Sequence, residues 1–288
     1  MPARPVLPRT YATGGLQLVA DEFVAEPGRG TALLLHGGGQ TRHSWRSTGA
    51  SVARAGWTAI SLDSRGHGDS GWAPDGDYSM DALVDDLHQV AATLRQPPVL
   101  IGASMGGLTA LVAVGEGRVD AAGLVLVDIA PRIEPEGAAR VAAFMRAHPD
   151  GFASLDDVAD AVAAYNPHRA RPASPEGLRR NVRLRDGRWY WHWDPAFLRP
   201  REQNPGRSLD SSRLTDAARG VAVPTLLVRG QQSEVLSAEG AAELTTLIPA
   251  ARAVDVEGTG HMVAGDDNDV FTREVLGFLD ALPGEAGP

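Results

Sequence analysis

The sequence predicts an α/β protein in which helices flank a mainly parallel central sheet and a helical cap is inserted late in that sheet. Three observations lead there. Strand-length apolar runs alternate with segments of helical period. Most of those runs are apolar throughout, as strands covered on both faces are. The alternation lapses between about Ala130 and Val221, then resumes at Pro224. The expected division is a core of residues 1–129 and 222–288, interrupted by a cap at 130–221.

The elements follow in order. Met1 to Thr10 contains two arginines and three prolines but no apolar stretch, which predicts a loosely held arm and no secretory signal. Leu16–Val24 and Thr31–Leu35 are expected strands around a Glu26-Pro27-Gly28 turn. Further strands are expected at Trp57–Leu62, Pro98–Ile101, Gly123–Val127, Thr225–Val228 and Ala253–Val256. Leu83, Leu87, Val90 and Leu94 share one helical face. Ser79 is placed to cap that helix, and Asp81, Asp85 and Asp86 sit near its positive end. Phe271, Val275, Phe278 and Leu279 form a similar face after Asn268-Asp269, with Pro283-Gly284 as the stop. These two helices should flank the sheet. Val158–Tyr165 predicts a helix in the cap.

Composition removes several classes of function. Apolar residues make up 43% of the chain and charged residues 22%, and no apolar run approaches the roughly 20 residues of a bilayer span. A net charge of −9 repels phosphate backbones and anionic lipid, so neither nucleic acid nor membrane is an expected partner. With no cysteine there is no disulfide or thiolate site, which fits a cytoplasmic location. The arginines gathered between Arg169 and Arg188 are expected to be solvated or internally paired.

Chemistry concentrates at Gly102-Ala103-Ser104-Met105-Gly106. It follows the strand Pro98–Ile101 and precedes the helical stretch Met105–Val114, the context in which Gly-x-Ser-x-Gly presents a nucleophile on a tight, strained turn. A serine hydroxyl needs a base, usually histidine. His261 lies between the last strand and the last helix, late enough to satisfy the order serine, acid, histidine. The other histidines, His36, His43, His67, His88, His148, His168 and His192, read as structural. None forms a zinc-ligand spacing, so no metal is expected.

The acid that orients the base is assigned to Glu234, after the strand Thr225–Val228, with Asp128, at the end of Gly123–Val127, as the alternative. Both lie at carboxyl ends of strands, where open α/β sheets carry their sites. Two oxyanion N–H donors are expected, one from Met105 and one from Gly38 in His36-Gly37-Gly38-Gly39. Gly66-His67-Gly68-Asp69-Ser70-Gly71 mimics a dinucleotide fingerprint. Trp72-Ala73-Pro74 after it cannot open the helix such a site needs, so the segment is expected to be a structural turn.

Taken together, Leu35-His36-Gly37-Gly38, Asp63-Ser64-Arg65-Gly66-His67-Gly68-Asp69-Ser70, Gly102-Ala103-Ser104-Met105-Gly106 and Gly260-His261-Met262 resemble the α/β-hydrolase superfamily, its capped esterase-like and cofactor-free haloperoxidase-like members. The likeness extends over nearly the whole chain. It implies a serine, acid and histidine triad under a cap that cleaves a carboxylic ester, lactone or thioester without a cofactor. It departs from pattern in offering glutamate where members with an acid after the penultimate strand generally have aspartate. The aromatic residues of the cap, Trp191 and Tyr165 in particular, are candidates for binding an apolar or aromatic group. Carbon–carbon bond hydrolysis and perhydrolase chemistry share the same machinery. A ligand-binding receptor on this fold is the alternative without catalysis.

Overall fold

The computed structural model describes residues 6–26, 28–166, 171, 174–199, 210–261 and 269–282. Pro27, His168, Arg169, Met262, Asn268 and the Pro283-Gly284 stop lie outside the described residues, as do Met1–Pro5 of the expected arm.

Ten strands follow one another among the described residues: β1 (Val6–Thr13), β2 (Leu16–Phe23), β3 (Thr31–Leu35), β4 (Thr58–Leu62), β5 (Val99–Ala103), β6 (Gly123–Val127), β7 (Val182–Arg185), β8 (Arg188–Trp191), β9 (Thr225–Gly230) and β10 (Ala251–Val256). Eight of them make one sheet in the order β1-β2-β4-β3-β5-β6-β9-β10. β1 and β2 pair antiparallel, as do β2 and β4, and every other neighbour is parallel.

The expected arm is therefore in part a strand. Val6–Thr13 pairs along its whole length with β2, and Arg9 joins Glu22 across the pair. It hides from a pattern search because it is an edge strand. Most of its side chains are exposed and Pro8 interrupts it, as edge positions allow.

The helices are α1 (Arg46–Arg54), α2 (Met80–Ala91), α3 (Met105–Gly115), α4 (Pro135–Arg146), α5 (Leu155–Tyr165), α6 (Ser211–Gly220), α7 (Ala238–Leu247) and α8 (Asp269–Ala281). Ser79 caps α2 as expected, its side chain accepting from the Ala82 N–H. Strand alternation divides the core. Leu33, Leu35, Leu100 and Leu124 face α2, α3, α6 and α7, whereas Leu34, Val99, Ile101 and Val125 face α1 and α8. The predicted helices α2 and α8 thus flank opposite faces.

The segment between β6 and β9 departs from a purely helical cap. It contains α4 and α5, but also the β7–β8 hairpin, in which Trp189 and Trp191 lie on a strand. Its last helix, α6, packs on α3. Gly115 and Gly220 make the approach possible, since a Cβ at Gly220 would stand 2.1 Å from the Gly115 carbonyl oxygen. Within the expected 130–221, then, α6 belongs to the helical layer of the sheet, and α4, α5 and the hairpin stand over the strand ends. Several of the arginines there are ion-paired: Arg171 with Asp156 and Asp160, Arg179 with Glu176, Arg183 with Asp69. No helix among the described residues is long and apolar enough to cross a membrane.

Candidate active site

Ser104 stands on the turn between β5 and α3 with φ +45° and ψ −114°, a conformation disfavoured for a residue with a side chain. The flanking glycines make the turn possible. A Cβ at Gly102 would lie 2.5 Å from the Gly106 carbonyl oxygen, and one at Gly106 would lie 2.4 Å from that of Leu35. Met105 is the first residue of α3. Its N–H therefore belongs to the turn whose donors have no partner within the helix.

The loop after β3 reaches Ser104 from the neighbouring strand, with a Cβ at Gly37 falling 3.4 Å from that of Ser104. Two of its glycine N–H groups are engaged. Gly37 donates to Gln40 Oε1 at 2.9 Å and Gly39 to His67 Nε2 at 3.1 Å. The Gly38 N–H has no such bond among the described residues, and Gly38 lines the same cavity as Ser104 and Met105.

His261 follows β10 and lines that cavity too. Its Nδ1 lies 2.7 Å from Asp128 Oδ2. Asp128, the residue after β6, is fully buried and, like Ser104, has a positive φ, +51°. Three groups hold its carboxylate. Gly230 N–H donates to Oδ1 at 2.8 Å, and the Ser233 hydroxyl and His261 both reach Oδ2. Ser233 is itself fixed by the N–H groups of Val235 and Leu236 at 3.1 Å each. Gly230 also lets the histidine loop pass, because a Cβ there would meet the Gly260 carbonyl oxygen at 2.3 Å.

The favoured acid, Glu234, is not in this arrangement. Its carboxylate is about half exposed, and both of its oxygens accept from Arg140 Nη1 of α4, at 2.5 and 2.6 Å. The chain turns after β9 so that Ser233 faces Asp128, while Glu234 projects towards α4. Asp128, the alternative, is the carboxylate on His261.

Trp191 and Tyr165 are likewise displaced from their expected role. Neither lines the cavity beside Ser104. Trp191 stacks on Trp193 with ring centres 5.0 Å apart, and Tyr165 stacks on Phe144 at 4.2 Å, so both pack within the segment between β6 and β9. Burial pushes the Tyr165 hydroxyl up from its ordinary pKa.

The cavity measures about 210 Å³. Met80, Leu83, Leu108, Ile133, Val141 and Met145 give it an apolar wall, and no described lining residue is lysine, arginine, aspartate or glutamate. Tyr78 and Phe197 also line it, though neither belongs to a motif that marks the site. The Tyr78 hydroxyl donates to Asp194 and accepts from the Ala73 N–H, and burial together with Asp194 pushes its pKa up. Among the described residues, no cluster of histidine and carboxylate side chains could hold a metal ion. The Gly66–Gly71 segment is a turn without a following helix, with the Asp63 carboxylate accepting from Asp69 N–H at 2.9 Å.

Residues 32–267 match the family described by the alpha/beta hydrolase fold. The chain is 31% identical over 258 residues to the esterase Rv0045c of Mycobacterium tuberculosis, covering 86% of this chain and 82% of the relative. It is 29% identical over 230 residues to the 2-(acetamidomethylene)succinate hydrolase of Mesorhizobium japonicum, covering 78% and 79% of the two chains. A crystal structure of E-2-(acetamidomethylene)succinate hydrolase superposes with a TM-score of 0.83 at 26% identity, covering 96% of this chain and all of the other. The chain therefore belongs to the alpha/beta hydrolase family and is a hydrolase.

Proposed function

We propose that the protein is a serine esterase for uncharged carboxylic esters with an apolar acyl group. The observation that carries this reading is the Asp128–His261 pair beside Ser104 at the edge of an apolar cavity with no described cationic lining residue. In the reaction, the His261 Nδ1–H stays hydrogen-bonded to the ionised Asp128 carboxylate, which leaves Nε2 to accept the proton of Ser104. Ser104 Oγ then bonds to the ester carbonyl carbon. The N–H groups of Gly38 and Met105 receive the negative charge that develops on the carbonyl oxygen, each such donor contributing on the order of 3 kcal/mol. His261 passes the proton to the departing alkoxide, which leaves as alcohol. Water, activated by the same imidazole, releases the acid and regenerates Ser104.

The cavity wall argues for the uncharged substrate. A carboxylate buried against Leu83, Ile133 and Met145 without a cation loses its hydration and gains no partner. Relatives named for 2-(acetamidomethylene)succinate and N-formylmaleamate act on carboxylate-bearing molecules. The similarity to the esterase Rv0045c supports an ester substrate.

A panel of esters sharing one alcohol, with acyl groups graded in length and with or without a terminal carboxylate, tests the reading. The expected result is kcat/KM at least about 100-fold higher for uncharged acyl groups. Preference for the carboxylate-bearing acyl group, or no turnover of any uncharged ester, would contradict it.

A further inference from the structure

Three buried histidines that take no part in the proton transfers above surround the glycine loop. His36 accepts the Ser64 N–H on Nε2 at 3.0 Å, which leaves its Nδ1 proton to donate to the Gly37 carbonyl at 2.8 Å. His67 accepts the Gly39 N–H on Nε2 and turns its Nδ1 proton to the Arg65 carbonyl at 3.1 Å. His192 accepts the Gly68 N–H on Nδ1 at 2.8 Å and directs its Nε2 proton to the Gly39 carbonyl at 3.2 Å. Each ring thus has one tautomer fixed by a backbone donor, and together they hold both sides of Gly38.

His36 and His67 come from the loops after β3 and β4. His192 does not: it follows β8 in the segment standing over the site, 153 residues from Gly39 in sequence. It is 1% exposed and stands edge-on to Trp193, whose own ring stacks on Trp191. A residue locked into the cap's aromatic cluster therefore bonds directly to the residue after Gly38.

We propose that His192 is a positioning residue for the oxyanion site, fixing the Gly38 N–H through the Gly39 carbonyl so that the cap determines the alignment of the catalytic loop. This rests on the reading of Gly38 as an oxyanion donor. The physical reason is that glycine backbone has no side chain to restrain it. A donor displaced by about 1 Å can lose on the order of 100-fold in rate, so three consecutive glycines need external bonds to hold one N–H on target.

The two bonds of His192 can be separated by side-chain length. His192→Gln carries its amide to the ring's Nε2 position and can still donate to the Gly39 carbonyl. His192→Asn reaches only the Nδ1 position and can still accept from Gly68. Both are of similar polarity, and thermal unfolding compares their stability. With an uncharged ester, kcat of His192→Asn is expected to fall about 10- to 100-fold with KM within about twofold. His192→Gln is expected to recover at least about tenfold of that loss. Amide hydrogen exchange at Gly39, which requires no substrate, should accelerate at least about tenfold in His192→Asn relative to His192→Gln.

Equal kcat in the two variants, or a change confined to KM, would overturn the proposal. If the wild type hydrolyses no uncharged ester, the functional reading fails by itself, and Gly39 exchange still decides: a difference between the variants supports the clamp and equal exchange overturns it.

Discussion

His261 Nδ1 and Asp128 Oδ2 are 2.7 Å apart, whereas Glu234, four residues after Gly230, pairs with Arg140 of α4. The two carboxylates should therefore answer substitution very differently. Asp128→Asn removes the acceptor that fixes the imidazole tautomer and is expected to lower kcat on a small ester by about 10⁴-fold. Glu234→Gln breaks an exposed ion pair worth at most about 1 kcal/mol and should leave kcat within about twofold. Steady-state kinetics on one ester checks both, and the reverse ranking would return the acid to Glu234.

Gly230 should be intolerant of a side chain for a catalytic reason. A methyl group there meets the Gly260 and Thr259 carbonyl oxygens at 2.3 and 2.7 Å, so the loop carrying His261 must move. Gly230→Ala is expected to reduce kcat by about 100-fold. Wild-type kinetics in this variant would show that the loop shifts without displacing the imidazole.

Acid should destabilise the fold through its buried histidines. Burial lowers the pKa of His36 and brings that of His192 down to about 3. The unfolded chain binds these protons below a pH of about 6.5. Between that pH and the folded pKa the unfolded state holds more protons, so stability falls as pH falls through the window. Each such histidine contributes up to about 1.4 kcal/mol per pH unit. Urea unfolding at about pH 7 and about pH 5 should show a smaller acid loss in His192→Gln than in the wild type. An unchanged loss would mean that His192 is not held neutral.

The Arg65–Asp86 pair ties the turn after β4 to α2. Both side chains are buried, and two hydrogen bonds of 2.6 and 2.8 Å join them. Asp86→Ala strands the guanidinium and is expected to cost about 3–5 kcal/mol in denaturant unfolding. A loss below about 1 kcal/mol would indicate that water reaches Arg65 in the variant.

What could be read from the sequence follows from how local each signal is. Ser104 and Met105 belong to one turn whose glycines are set by contacts within a few residues and with the adjacent strand, so the pentapeptide carries its own context. Leu83, Leu87 and Val90 announce α2 by period. The acid has no comparable local signature. Asp128 and Glu234 both follow strand ends, and only the rotation of the chain after Gly230 decides which one meets His261. The aromatic residues Trp191 and Tyr165 are conspicuous in sequence but face one another's neighbours in the cap. The cavity wall is instead drawn from α2, α3, α4 and the Pro195–Leu198 turn, a juxtaposition that no single segment encodes.

The proposed mechanism passes through an acyl-enzyme on Ser104, which mass spectrometry of the protein quenched during turnover of a slow uncharged ester would detect. A mass increase equal to the acyl group is expected on the peptide containing Ser104, absent in Ser104→Ala together with the turnover. Ester hydrolysis that persists undiminished in Ser104→Ala would contradict it.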